Sequence, residues 1–506
     1  MRDARAALLG ATAALLPALA LRGFTVDDAL ISARYGAHLA AGYGYRFNAS
    51  GAVTDGVTPL GFPFLLAPFA ARGPLAALAA AKVMGAIAWI LAASLLGVAI
   101  ARAARAECAG RAMPFSRARL RALTPLSALI LIAASAPLGA WSVAGMETGL
   151  VIALSALAVS LRALRFGCSG AVCAGLAAGL RPELTPFSLI VAGAPSPPSP
   201  DAKPAGGGSS ASSARSASGA LASGPALTRV AIATLPPLAV VIARLLIFGH
   251  PAPLAVLAKP ASIELGGKYA LACFLLTGPI ALLAPLALRR ASGFARGLAL
   301  AVAAHFVAIA LAGGDWMPLS RLAAPALPAA ALGAAHLAAV ASLPATAARL
   351  ALALAGEIFQ VVRVGPSAAG VSAERLRLID ELRPALAASR VVAAVDIGWL
   401  GAATPASIVD LAGLTDPAIA ALPGGHTSKA IPSTLLDARG VDTLVMLLRE
   451  GEPALSPWTR SFFARRVELR VASIPGLDAA FAPVAEAKTA HLDYLVLRRV
   501  PPPAPP

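Results

Sequence analysis

The chain has 506 residues, of which 58% are hydrophobic and only 13% charged, with a formal net charge of +17. Soluble domains carry about 25% charged residues, so this composition excludes a disordered chain, a nucleic-acid-binding domain and an ordinary cytosolic enzyme. In so apolar a chain the excess of Arg and Lys points to cytoplasmic loops of a membrane protein, not to an acidic partner. Cys108, Cys168, Cys173 and Cys273 form no CxxC pair, and none lies beyond 273, so a C-terminal domain in an oxidising compartment would fold without disulfides.

A membrane helix needs about 20 apolar residues. Residues 6–21 are predicted as the first span, with Arg2 and Arg5 holding the N-terminus inside. A polar outer loop, 23–58, carries Asp27, Asp28, Arg34, Arg46 and Asp55. Residues 59–71 are too short to cross and are predicted to lie at the interface. Residues 75–101 form a full span, followed by Arg102, Arg105, Arg111, Arg117, Arg119 and Arg121 against one acid, Glu107. That run sets the parity of the map.

Further spans are predicted at 123–138, 149–161, a short pair at 168–180 and 184–194, then 230–248, 269–288, 298–312 and 322–341. Residues 195–225 are a low-complexity cytoplasmic linker of Pro, Gly, Ser and Ala. On this map Glu107 and Asp201 are the only acids of the inner segments from 102 to 349, whereas the outer loops hold Asp27, Asp28, Asp55, Glu147, Glu183, Glu264 and Asp315. Topology therefore accounts for most of the excess positive charge. Segment 347–362 contains Arg349 and Glu357 and is a poor span; counting it gives about 11 spans and an extracytoplasmic C-terminus.

The expected fold is mostly α: a transmembrane domain over 1–362 and a soluble α/β domain over 363–506. Residues 374–387 read as an amphipathic helix. Residues 391–395, 444–448, 467–471 and 494–497 read as strands.

The outer loops hold the chemistry. Asp27-Asp28 stands at a membrane boundary, where adjacent carboxylates are costly to desolvate. One reading is a general base for a hydroxyl nucleophile; the other is a helix N-terminus, since Asp before Ala-Leu-Ile is a good start signal. Lys259, Arg321 and Arg181 lie in three separate outer turns and Arg34 in the first loop. Taken singly, each is accounted for by interfacial snorkelling; together they suit a phosphate leaving group. Gly313-Gly314-Asp315-Trp316 is a tight turn with an acid and an interfacial aromatic. The six histidines show no metal spacing, and there is no Walker motif or dinucleotide fingerprint.

Several segments resemble, in order, the outer loops of polytopic GT-C glycosyltransferases, in particular the cell-wall terminal arabinofuranosyltransferase branch. They are Asp27 to Tyr35; Gly42-Tyr43-Gly44; Phe47-Asn48; Gly56 to Leu60; Trp141 with Gly145-Met146-Glu147-Thr148; and Gly179 to Glu183. They continue with Pro253, Lys259 and Tyr269; Gly313 to Pro318 with Arg321; Asp396-Ile397-Gly398; and Asp410 to Asp416. The resemblance covers residues 23 to 420. It implies a multi-pass enzyme of the cytoplasmic membrane with an extracytoplasmic active site. Such an enzyme moves a sugar, with inversion, from a polyprenyl-phosphate carrier to a hydroxyl of a glycan, lipid or protein acceptor.

The same resemblance implies a first-loop aspartate as base, here Asp27 or Asp28, with Asp27 favoured. Donor-phosphate contacts fall to Lys259, Arg321, Arg181 and Arg34, and substrate contacts to Glu147, Asp315, Trp316 and Tyr269. No cofactor, metal ligand set or nucleic-acid partner is expected, although a divalent metal bridging the Asp pair stays open. Asp55 lies beyond the matched pair and is expected to tolerate Asn. Gly61 and Phe62 follow the Thr-Pro-Leu turn where the family usually has aromatic residues, which leaves the sugar open. The rival reading is a transporter or flippase of lipid-linked sugars. A transporter would carry ionisable residues mid-span; Arg244 and His305 are the ones assigned to spans here, while the carboxylates sit in outer loops.

Overall fold

The computed structural model describes residues 2–109, 124–197, 224–259, 262–449, 462–489 and 493–501. Most of the expected linker, and the arginines at 111–121, lie outside the described residues. Among those described, five helices are long and apolar enough to cross a membrane: Arg2–Ala20, Pro74–Ala103, Ala226–Phe248, Gly293–Leu311 and Leu343–Leu386. The pair Pro125–Ala134 and Ala136–Val143, bent by 55°, makes a sixth if it is one span. Thr148–Ala163, Gly167–Leu180 and Ala324–Val340 are shorter apolar helices.

The chain divides into two compact units. The first comprises Met1–Phe24, Ala81–Val240 and Ala261–Ala369. Its helices approach through small residues. A Cβ on Gly10 would stand 2.2 Å from the carbonyl oxygen of Ala93, and one on Gly97 would stand 2.3 Å from that of Ala6. Dispersion between closely packed backbones is what associates helices where lipid removes the hydrophobic driving force.

The second unit comprises Thr25–Ala80, Val241–Pro260 and Gly370–Pro506. Its sheet contains β1 (Val391–Ala394), β2 (Ser407–Asp410), β3 (Thr443–Leu447), β4 (Phe481–Lys488) and β5 (Asp493–Arg499), in the order β2-β1-β3-β5-β4. β1 runs parallel to β2 and β3, with Ala394 opposite Asp410 and Val445. β5 runs antiparallel to β3 and β4. The expected strands at 391–395, 444–448 and 494–497 are present.

The expected strand at 467–471 is instead inside the helix Arg466–Ala472. Val-Glu-Leu-Arg-Val alternates like a strand, but Val467 and Val471 share one helical face and are both buried. Glu468 closes a capping box on the backbone N–H of Arg465 and also accepts the N–H of Leu447 at 2.9 Å. Strands β2 and β4 carry weak sequence signals: β2 is four residues long, and β4 is an edge strand whose register shifts between Pro483 and Ala485. The amphipathic segment at 374–387 is not a separate helix. It is the end of an uninterrupted 44-residue helix, Leu343–Leu386.

Candidate functional site

In the second unit the first loop folds onto the C-terminal sheet. Asp27 opens the helix Asp27–Ala40, as a start signal should. Its side chain faces a different helix. Oδ2 accepts the N–H of Gly398 and Oδ1 that of Trp399, both at 2.8 Å. These are orphan donors in the first turn of the helix Ile397–Ala403. Only glycine fits at 398, because a Cβ there would lie 2.0 Å from the carbonyl oxygen of Asp27.

Next to this contact, Asp396 Oδ2 accepts Arg465 Nη2 at 2.8 Å and the Tyr494 hydroxyl at 2.6 Å. Arg375 Nη1 in turn donates to Tyr494 at 3.3 Å. Burial, reinforced by the negative charge of Asp396, pushes the Asp27 carboxyl up to about 6. For Asp396, burial is outweighed by Arg465 and Arg375, which hold it below the ordinary carboxylate value.

The C-terminal ends of parallel strands are where open α/β sheets usually bind ligands. Here the chain itself occupies that edge. Arg34, expected to hold phosphate, is buried, and its guanidinium donates to the carbonyls of Phe47, Gly401, Thr404 and Ala406 at 2.8–3.2 Å. Those bonds give it a structural task. Asp410, at the end of β2, accepts the N–H groups of Ala412, Gly413 and Thr415 and the Thr415 hydroxyl. The Asp410–Asp416 motif is therefore a self-bonded turn. A Cβ on Gly56 would meet the Thr415 methyl at 2.6 Å, so the first loop lies directly on that turn.

Asp28 is half-buried, about 100° around the helix from Asp27. Lys259, in the same unit, is half-buried at the end of the short helix Leu254–Leu257. The N–H of Leu254 donates to the carbonyl of Asp55, tying the 253–259 turn to the first loop. Asp55 was expected to be a tolerant loop carboxylate. It is a fully buried ion pair with Arg244, Oδ2 to Nε at 2.8 Å. Burial alone raises its carboxyl above the ordinary range, against the pull of Arg244.

The first unit gathers a second set of motifs. Arg181 Nε lies 2.7 Å from Glu147 Oε1, and its Nη1 lies 3.5 Å from Glu183. The Arg321 Nε to Asp315 Oδ2 distance is 2.6 Å. Met146 Sδ touches the Arg321 guanidinium, and Trp141 Nε1–H donates to the carbonyl of Leu319 at 2.8 Å. His305 bridges the groups, with Nε2 2.7 Å from the Leu322 carbonyl and Nδ1 3.3 Å from that of Glu183. Tyr269 accepts the N–H of Leu322 at 3.3 Å.

Glu147, Arg181, Tyr269, Asp315 and Arg321 thus form one connected polar cluster, built from segments far apart in sequence. Trp316 does not join it: the residue is 61% exposed, as suits an interfacial aromatic. Leu319 and Ser320 have φ of 55° and 51°, left-handed values unusual for these residues. Backbone strain of this kind collects at functional loops.

Lys82 was missed. It lies inside the predicted span 75–101, so the intramembrane ionisable set is larger than Arg244 and His305. A search of each span for single charges would have found it. Among the described residues no three His, Cys, Asp or Glu side chains converge as a metal site.

Residues 369–492 match the family model of a domain of unknown function (DUF8728). No curated protein and no solved structure matches the chain.

Proposed function

We propose that the chain is an integral membrane glycosyltransferase of GT-C type that takes a sugar from a polyprenyl-phosphate carrier and passes it, with inversion, to an extracytoplasmic hydroxyl. The observation that carries this reading is the connected cluster of Glu147, Arg181, Tyr269, Asp315 and Arg321 in an otherwise Ala/Leu-rich unit. Buried charged groups at the ends of apolar helices are expensive, and a function explains their retention. The acceptor hydroxyl needs a base and the carrier phosphate needs cations.

Asp28 is the better base. Both oxygens of Asp27 are engaged by the helix Ile397–Ala403, which gives Asp27 the task of orienting the loop and assigns the base to its neighbour Asp28. Arg34 drops out of the phosphate set. Arg181 and Arg321 of the first unit stay in it, and in that unit Glu147, Asp315 and Tyr269 orient the substrate.

In this reading about 11 spans cross the cytoplasmic membrane. The first loop, the 250–260 turn and the C-terminal domain then share the extracytoplasmic side. Their membership of one compact unit supports that arrangement.

A second reading, a flippase of lipid-linked sugars, draws support from Glu357. This carboxylate is 1% exposed within the candidate span Leu343–Leu386 and accepts the N–H of Ala136 at the break of the bent helix pair. Broken helices meeting at a buried acid are a transporter feature. The deciding experiment is incubation of the purified protein with radiolabelled polyprenyl-phosphate sugars and candidate acceptors. Label in the acceptor supports the enzyme; label that only changes leaflet in proteoliposomes supports the flippase.

A further inference from the structure

The two arginines of the first-unit cluster are already matched by acids. Arg181 faces Glu147 and Glu183, and Arg321 faces Asp315. Lys82 is different. Its Nζ donates to the carbonyl oxygen of Phe24 at 2.6 Å, and no carboxylate among the described residues pairs with it. Yet it sits within the candidate span Pro74–Ala103 and is half-buried.

Its place in the fold is well defined. The Phe24 ring meets Trp141 edge-on, with centroids 5.1 Å apart. One turn beyond Lys82, a Cβ on Gly85 would stand 2.5 Å from the carbonyl oxygen of Ser142. The helix therefore lies hard against the end of the helix Ala136–Val143, which carries Trp141 and leads into the turn with Met146 and Glu147. An ammonium has three donors, and one is used on Phe24. A cation left in a span without an acid is retained at a cost unless an anion completes it.

Resting on the glycosyltransferase reading, we infer that Lys82 binds the phosphate of the lipid-linked donor. A compact ammonium suits a phosphate as a point charge. Loss of a hydrogen bond to a charged group of this kind weakens binding about ten- to a hundred-fold.

The test uses full-length protein in nanodiscs, with binding of an undecaprenyl monophosphate probe measured against undecaprenol. Lys82→Met keeps the length of the side chain and removes the charge; Lys82→Arg keeps the charge. The expected result is preferential binding of the phosphate by the wild type, loss of at least ten-fold in Lys82→Met, unchanged undecaprenol binding and substantial retention in Lys82→Arg. Equal phosphate affinity in the wild type and Lys82→Met overturns the assignment while leaving the enzyme reading intact. A wild type that does not distinguish the phosphate from the alcohol overturns both. Displacement of the probe by phosphatidylglycerol at equal concentration overturns the donor assignment in favour of a general anionic-lipid contact. Hydrogen exchange of the helix around residue 82 separates loss of binding from loss of fold.

Discussion

The side-chain amide of Asn48 pairs with both backbone groups of Ile408: Nδ2 donates to its carbonyl and Oδ1 accepts its N–H, each at 2.9 Å. Ile408 lies in β2, at the edge of the sheet. An exposed strand edge invites pairing with other chains, and here one first-loop residue acts as the missing strand. Asn48→Ala should cost about 1–3 kcal/mol, from two lost hydrogen bonds at about 0.5–1.5 kcal/mol each. Faster hydrogen exchange confined to 407–410 and the first loop is the expected signature. Unchanged protection at Ile408 would remove Asn48 from this role.

The adjacent aspartates should separate by phenotype. Asp28→Asn is expected to lose 10²–10⁴-fold in turnover, the usual effect of removing a general base, with folding and donor binding preserved. Asp27→Asn replaces an acceptor oxygen with an amide N–H facing the backbone donors of residues 398 and 399. It should cost about 1–3 kcal/mol of stability. Full stability in Asp27→Asn together with a catalytic collapse would return the base to Asp27.

Asp55 is not a tolerant position. Asp55→Asn leaves Arg244 buried without its charge partner, and breaking such a pair costs about 3–5 kcal/mol. The yield of folded protein should fall sharply. The double variant Asp55→Asn, Arg244→Met should recover part of the loss, and a double-mutant cycle on thermal stability measures the coupling. Additive single effects would mean that the two groups do not interact.

Stability of the second unit should fall as pH rises from about 4 to 7. Asp27 and Asp410, ordinarily at 3.8, are raised to about 6, and Glu468, ordinarily at 4.5, to about 7, all by burial. A raised carboxyl keeps its proton longer in the folded state. Its contribution is complete below the unfolded value and disappears as pH climbs through the folded one. Asp396, held low, acts in the opposite sense and costs stability only as pH falls below 3.8. Thermal unfolding of the full chain at pH 4.5, 6 and 7 checks the sign. Glu468→Gln should flatten the slope between 4.5 and 7, and a slope of the opposite sign would refute the account.

Reporters at about residue 50, at about 260 and after 501 should all read extracytoplasmic, because the segments around them belong to one compact unit and positive-inside bias sets the overall side. A reporter at 110 should read cytoplasmic. If 50 and 260 differ, the proposed topology fails.

Composition and spacing by themselves determined that the chain is mostly helical with several long apolar helices, the change of texture after about 365, and three strands of the sheet; the predicted span at 269–288 is instead broken after Leu276. Those features depend on local runs of residues, and local runs are visible in sequence. The motif residues Glu147, Arg181, Asp315 and Arg321 were likewise legible as charges out of place in an Ala/Leu chain. What each charge does was not. Asp27 and Asp28 are neighbours with the same chemistry, and only the helix starting at Ile397, some 370 residues away, engages one of them with two backbone N–H groups. Arg34 looked like a phosphate ligand until four carbonyls, three of them from 401–406, took up its donors. Asp55 was expected to tolerate Asn, but Arg244 is folded against it. Val467–Val471 alternates like a strand, yet Glu468 and two buried valines on one face make it a helix. In each case the partner is supplied by the tertiary fold or by a cap, and the desolvation that assigns the role exists only once the chain has closed around the group.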